Sequence, residues 1–288
     1  MNQYVILTDS ACDITKEILD SWNVGFVSLT FKFTDSDIEY RNSDMPVEKF
    51  YAEMRAGRVA KTAAINVDTF IDLFEKELER GNDVLHIGFS SGLSSTYNAA
   101  RMAGEQLKEK YPDRKIITVD SLAASAGQGL LVYLTVQKKN EGASIEEAAE
   151  YAKGLVPHIC HWFTVDDLVY LKRGGRVSAT AAFFGNALGI KPVMHVDDEG
   201  HLVPVTKVRG RRTSIATMAD MYTELAEDLT GGTVFISHGD CINDAELLAK
   251  MLKDKHGVDV QIITSVGTVI GAHSGPGTLA LFFVGKHK

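Results

Sequence analysis

The strongest constraint on how this chain folds is a repeated order of elements in its first half. A short apolar run is followed by a hydroxyl-rich turn and then by a helical pattern. Tyr4-Val5-Ile6-Leu7 is a continuous apolar run, as expected of a strand buried on both faces of a parallel sheet, and Val84 to Ile87 and Ile116 to Val119 read as a second and a third buried strand. Between them, Val67, Phe70, Ile71, Phe74 and Leu78 fall on one face of a helix that Gly81 stops. Other helices are expected from Ile14 to Trp22 with Asp13 as its cap, from Val47 to Arg55 with Pro46 in its first turn, from Ser95 to Lys110, and up to Asn140. Ser144 with Glu147 forms a capping box for the next helix. Val24 to Phe33 reads as a strand paired with Ile38-Glu39-Tyr40. This alternation predicts a mostly parallel α/β domain.

The second half changes style. Lys191 to Val196 and Leu202 to Val208 flank Asp197-Asp198-Glu199-Gly200, which predicts a hairpin and hence antiparallel pairing. A helix over Thr213–Asp228, a strand over Val234–Ser237, a helix over Asn243–Lys255, a strand over Val258–Ile263 and a last strand over Thr278–Val284 complete a mixed α+β domain. A length of 288 residues accommodates two domains, expected at 1–157 and 158–288, where Pro157 interrupts. The fold class expected is therefore α/β: an N-terminal parallel domain and a C-terminal mixed, largely antiparallel α+β one.

Composition narrows the function. Hydrophobic residues at 45% and charged residues at 24% are globular values. Thirty basic against 38 acidic residues give a formal charge of −8, which removes a uniform basic footprint for nucleic acid. A DNA-binding role would require Arg173, Arg176 and Arg209 to Arg212 to form one face. Cys12, Cys160 and Cys241 are scattered and odd in number, so no disulfide framework or paired zinc ligand set is expected. The N-terminus lacks the basic region of a signal peptide, and no apolar run approaches the length of a membrane span. A cytoplasmic protein without stable membrane insertion is expected.

Thr8-Asp9-Ser10, Ser90-Ser91-Gly92-Leu93-Ser94-Ser95 and Asp120-Ser121 follow the three apolar strands. In an open parallel sheet, ligands bind outside the carboxyl ends of the strands, where helix N-termini favour an anionic group. The same residues also serve as ordinary helix caps, but three such turns together favour a ligand crevice. Gly88-Phe89-Ser90-Ser91-Gly92 matches the nucleophile elbow, and the order Ser90, Asp240, His273 matches that of a serine hydrolase or esterase. That is the alternative reading. No phosphate-binding loop, zinc-protease helix or dinucleotide fingerprint is present. His158-Ile159-Cys160-His161 has no second half at ligand spacing and reads as a half-buried loop or strand. Lys172-Arg173-Gly174-Gly175-Arg176 and Arg209-Gly210-Arg211-Arg212 read either as solvated loops or as a surface for an anionic ligand or partner. Gly271 to Thr278 surrounds His273 with glycines, a loop that lets backbone approach one titratable side chain.

Taken together, these segments resemble the DegV family of bacterial fatty-acid-binding proteins. The matching pieces are Thr8-Asp9-Ser10 with Asp13, Lys61-Thr62, Ser90 to Asn98, Asp120-Ser121, Leu171 to Ser178, Ile190-Lys191-Pro192, Arg209, and His273-Ser274-Gly275-Pro276-Gly277. The resemblance implies two α/β domains enclosing one long-chain fatty acid, with Thr62, Ser94 and His273 around the carboxylate, Arg209 nearby, and Ser95 and Gly275 in the same ligand-binding set. It also implies a partner fatty acid kinase that converts the bound acid to an acyl-phosphate, with Arg173 and Arg176 on the partner surface. The chain itself would be a carrier with no catalytic residue, no cofactor and no metal. It departs from the family after Thr62, where Ala63-Ala64-Ile65 replaces the usual Ser-Gln-Pro.

Overall fold

A computed structural model describes residues 3–177 and 189–288; Ser178, quoted above with the Arg-Gly-Gly-Arg segment, lies outside them. The chain opens with β1 (Tyr4–Asp9), a single 3-10 turn, α1 (Lys16–Ser21), β2 (Val24–Val27), β3 (Thr30–Phe33), β4 (Glu39–Arg41), α2 (Val47–Arg55) and β5 (Ala60–Ala63). Next come α3 (Val67–Glu79), β6 (Asp83–Gly88), α4 (Thr96–Lys110), β7 (Ile116–Asp120), α5 (Ala126–Asn140) and α6 (Ile145–Leu155). The remainder is β8 (Ile159–Thr164), α7 (Val169–Gly174), β9 (Ile190–Val196), β10 (Leu202–Arg209), α8 (Arg211–Leu225), β11 (Val234–His238), α9 (Ile242–His256), β12 (Ile262–Ser265), α10 (Thr268–Ser274) and β13 (Leu279–Val284).

Three sheets result. The first has the order β2-β1-β6-β7 and is parallel throughout, as the apolar runs predict. The second is a six-stranded mixed sheet, β10-β9-β8-β13-β11-β12, in which only β11 and β12 pair in parallel. The third is small and antiparallel, β4-β3-β5. The α/β class and the switch from parallel to mixed pairing agree with the sequence reading, and the β9–β10 hairpin and the Ser144–Glu147 capping box form as expected.

Local differences have identifiable causes. The expected strand over Val24–Phe33 is two strands in two different sheets. The break falls at Ser28-Leu29, where the Leu29 N–H donates to Ser10 Oγ (2.9 Å) and the Asn42 N–H donates to Ser28 Oγ (3.1 Å). Asp13 does not cap α1. Thr15 does, accepting from the Ile18 N–H, while Asp13 adopts a left-handed backbone (φ 51°) and buries its carboxyl against Ser125. The segment around His273 is not a loop up to that residue: α10 carries His273 in its last turn, and the glycine-rich turn begins at Gly275. β5 and β8 were not expected as firm strands. Ala60-Lys61-Thr62-Ala63 becomes one because β3 offers it an antiparallel partner, with Phe31 opposite Thr62.

Helix α5 organises the molecule. It packs against β1 and β6 of the first sheet and against β8, β11 and β13 of the second. Its residues from Ala126 to Val132 are all buried. A helix buried all round belongs inside a core rather than on a surface, and its one polar side chain in this stretch, Gln128, is satisfied by Thr8. One apolar cluster accordingly contains Ile6, Leu85 and Val119 of the first sheet, Leu130 and Leu131 of α5, and Phe163, Phe235 and Phe282 of the second.

Gly129 sets how closely α5 approaches the first turn of the chain. A Cβ there would lie 2.5 Å from the Ile14 side chain and 3.1 Å from the Cys12 carbonyl oxygen. In an open helix, Gly→Ala is stabilising by about 1 kcal/mol; overpacking a filled core costs about 1–3 kcal/mol. The clash is with buried backbone as well as side chain, so overpacking dominates. Gly129→Ala is expected to lower stability by about 1 kcal/mol or more in urea unfolding; an unchanged or raised midpoint would show that α5 has room to move.

Candidate functional site

Four separate segments meet around one cavity of about 930 Å³, including its mouth. Thr62 comes from β5, Ser94 and Ser95 from the turn before α4, Arg176 from beyond α7, and His273 with Ser274 from the last turn of α10. The rest of the wall is mainly apolar and includes Leu29, Phe89, Leu93, Phe163, Val269 and Phe282. Ala63 and Ala64, where the chain departs from the family, are part of it.

The polar groups are connected. Thr62 Oγ1 lies 2.8 Å from His273 Nε2. The other ring nitrogen, Nδ1, is buried without a hydrogen-bond partner among the described residues and faces the Cα of Gly174, where any side chain would collide with it. Arg176 ties this corner to the serine turn: its guanidinium donates to the Gly174 carbonyl and, through Nε, to the Leu93 carbonyl at 3.2 Å. Ser94 adjoins Leu93, and its hydroxyl sits 2.9 Å from Thr96 Oγ1 while accepting from the Thr96 N–H at 3.2 Å. The Ser274 hydroxyl is buried and has no partner among the described residues, a further donor in the wall.

Burial, assisted by the nearby positive charge of Arg176, pushes the His273 pKa down to about 4. The ring is therefore neutral at physiological pH. Arg176 is half-buried, and burial lowers its pKa from the ordinary guanidinium value. The corner thus holds neutral donors and one guanidinium in an apolar surround, which suits a single anionic oxygen group: unpaired charge is costly to bury, and hydrogen bonds plus a counter-charge offset that cost.

Only part of the expected crevice forms. The Ser90–Ser95 turn contributes Ser94 and Ser95, but the other two turns are spent on the scaffold. Asp9 accepts from the Ala11 and Phe89 N–H groups, Thr8 donates to the Ile87 carbonyl, and Ser10 accepts from Leu29. Asp120 accepts from Ser91 and Leu122, and Ser121 donates to the Ala123 carbonyl. These are the cap and turn roles that such residues commonly take.

Arg209 is exposed at the end of β10 and does not line the cavity; the guanidinium that does is Arg176. Arg176 is correspondingly not a free surface residue. Arg173 is exposed, with its guanidinium 5.7 Å from the Tyr170 ring. Gly275 is buried and ends α10 with a positive φ of 82°, packed on Tyr170; it shapes the turn rather than lining the cavity. The hydrolase arrangement is not assembled. Ser90 is fully buried and donates to the Gly200 carbonyl at 2.9 Å under the β9–β10 hairpin, Asp240 pairs with Arg55, and His273 is engaged by Thr62. His161, Ser125 and Ser237 also line the cavity. Sequence reading had no reason to bring them there, because their approach depends on α5 lying between the sheets.

A depressed histidine pKa has a definite sign. Between about pH 4 and 6.5 the unfolded chain binds the proton that folded His273 refuses, so the stability contributed by the neutral ring is complete above pH 6.5 and is lost as pH falls towards 4. An NMR titration of the His273 Cε1–H is expected to give a midpoint near 4. Removing the adjacent cation in Arg176→Gln should raise it while burial still holds it below 6.5. A midpoint at or above 6.5 in the wild type would show that the ring is solvated.

With this geometry in view, comparison with known proteins is informative. A DegV domain-containing protein of Clostridium perfringens is 40% identical over all of this chain and 99% of its own length, and one of Streptococcus pyogenes serotype M1 is 33% identical over 99% of both. Among solved structures, a stearic-acid-binding protein of Eubacterium ventriosum superposes with a TM-score of 0.88 at 28% identity, covering 99% of each chain. DegV of Bacillus subtilis, described as a fatty acid binding protein, gives a TM-score of 0.85 at 26% identity over 99% of this chain and all of its own. Residues 3–286 match the family of uncharacterised DegV proteins, and the chain belongs to that DegV family.

Proposed function

We propose that this protein is a cytoplasmic fatty-acid carrier, with residues 1–157 and 158–288 as the two domains that enclose one long-chain acid. The carboxylate is held by the hydroxyls of Thr62 and Ser94, with His273 fixing the Thr62 hydroxyl and Arg176 as counter-charge, and is presented to a partner fatty acid kinase that forms the acyl-phosphate. The observation that carries the reading is the Thr62–His273 hydrogen bond at the polar corner of an otherwise mainly apolar cavity. The fatty-acid-binding relatives named above support it.

The energetics divide the work. Burying an acyl chain gains about 0.8 kcal/mol per methylene, so roughly 15 methylenes offer on the order of 12 kcal/mol before the costs of association. With Nε2–H of His273 donating to Thr62 Oγ1, the threonine keeps its own hydrogen for a carboxylate oxygen. Each neutral donor is then worth only about 1–3 kcal/mol. The chain supplies affinity and the polar corner supplies position. Position matters because transfer to a phosphorus tolerates little misplacement of the attacking oxygen.

Two measurements check this. Denaturing mass spectrometry of an organic extract of the purified protein is expected to release a long-chain fatty acid, or the emptied protein to take up added oleate or palmitate; failure of both overturns the carrier reading. In Ser94→Ala and His273→Ala, kinase-dependent acyl-phosphate formation is expected to fall at least tenfold while most bound lipid is retained. Loss of lipid outright in both variants, with the exposed-site control Ser21→Ala unaffected, would mean that the corner and not the chain supplies the affinity.

A further inference from the structure

The segment His158-Ile159-Cys160-His161 has no task in binding a carboxylate, yet its last residue lies in the cavity wall and is only 3% exposed. Strand register gives its depth. Across the second sheet, Phe163 stands opposite Ala280 and Ala280 opposite Ser237, while His161 stands opposite Phe282. Thr278, immediately before β13, adjoins the turn that follows His273. Phe282 is four residues further on, roughly 13 Å along a strand. His161 therefore belongs to the distal part of the cavity, and its ring packs edge-on against Phe282 at 5.2 Å.

Its protonation follows from its partners. Nδ1 is 3.0 Å from the Ile159 carbonyl oxygen. A carbonyl only accepts, so Nδ1 carries the hydrogen. Burial pushes the ring's pKa down to about 3, so it is neutral. Nε2 is then a bare acceptor, and no protein donor among the described residues reaches it. The neighbouring hydroxyls do not serve: Ser125 donates to Asp13 Oδ2 (2.6 Å), which leaves Ser237 as the donor in its 2.9 Å contact with Ser125. Gly127 of α5 packs directly on this end of the ring, where a Cβ would come within 2.0 Å of Nε2, so only glycine admits the imidazole here. A plain alkyl chain would leave this buried lone pair uncompensated.

We infer that the cavity is built for a long-chain acid bearing a hydroxyl in its distal half, whose O–H donates to His161 Nε2 beside Gly127. The inference rests on the fatty-acid reading above and refines its ligand. It requires a donor specifically: a keto oxygen at the same carbon can only accept and gains nothing.

The test titrates the delipidated full-length protein with stearic acid, 10-hydroxystearic acid, 12-hydroxystearic acid and 10-oxostearic acid. At least one hydroxy acid is expected to bind roughly three- to tenfold more tightly than stearic acid, the net gain of one buried hydrogen bond. The oxo acid is expected to show no gain. In His161→Phe, which keeps an aromatic ring against Phe282, the preference should vanish while stearic acid still binds. Equal binding of hydroxy and plain acids by the wild type, as when a water molecule already satisfies Nε2, overturns the inference and leaves the carrier reading intact. So does a preference shared by the oxo acid or one that survives in His161→Phe. If His161→Phe fails to fold, the oxo and hydroxy comparison in the wild type decides alone. Binding of no acid at all, stearic acid included, removes the carrier reading and the inference with it.

Discussion

Burial of α5 on both faces is the interaction on which the rest of this structure depends. A helix between two sheets must bury every face, and Ala126 to Val132 does so with apolar residues, with glycines where the neighbours come closest, and with one polar side chain, Gln128, which donates to Thr8 Oγ1 at 3.0 Å. The consequence is a shared core: strands from residues 4–120 and from residues 159–284 pack on the same helix. At its N-terminal end the apolar packing gives way to hydrogen bonds that cross between the halves. Asp13 and Ser237 meet at Ser125, Thr264 donates to the Asp13 carbonyl, Tyr51 donates to the Val266 carbonyl, and Ser90 donates to the Gly200 carbonyl. The cavity lies along this seam. Its polar corner draws on residues 62, 94, 176 and 273, which no local segment brings together.

The electrostatics of that corner differ from those of a catalytic site. A nucleophile or general base needs a perturbed group poised to exchange a proton near neutral pH. Here the imidazole is held neutral by burial and by Arg176, and its bond to Thr62 orients it. The most strongly raised carboxyls, Asp9 at about 6 and Asp13 at about 7, owe their shifts to burial and are both engaged in scaffold hydrogen bonds. The cavity corner holds hydroxyls, a neutral imidazole and a guanidinium. Among the described residues, the serine, histidine and aspartate of the hydrolase alternative are bound to three different partners.

What was legible in the sequence follows physical lines. β1, β6 and β7 were readable because a strand buried on both faces is a mostly apolar run, here interrupted only by His86 and Thr118 over residues 4–7, 84–87 and 116–119, and a parallel sheet leaves little else for such a run to be. The capping box and the β9–β10 hairpin were readable because their signals are local. β5 was not, since Ala60-Lys61-Thr62-Ala63 has little strand propensity and extends only because β3 lies beside it. α10 was obscured by its one glycine, Gly271, and by Gly267 and Gly275 at its ends; the lack of a side chain at Gly271 is required by Tyr51 packed against it. At the site, Thr62, Ser94 and His273 could be named from the resemblance, but which arginine accompanies them could not. Arg209 and Arg176 are equally basic in sequence, and only the path of the chain after α7 takes Arg176 into the cavity wall and leaves Arg209 on an exposed strand end.

Two histidines line this one cavity, and the contrast between them bears on how it tells ligands apart. Both are neutral because burial disfavours the imidazolium. His273 shares its Nε2 with a threonine hydroxyl, a partner that both donates and accepts and so can adjust to an arriving oxygen. His161 has its tautomer fixed by a backbone carbonyl, which can only accept, so its outward nitrogen cannot change roles. The first arrangement tolerates several headgroup geometries. The second asks one question of whatever lies beside it, whether it can donate a hydrogen. On the proposed carrier function, such a cavity recognises the head of an acid loosely and a feature of its chain strictly. That is the reverse of a site whose discrimination resides in the reacting group.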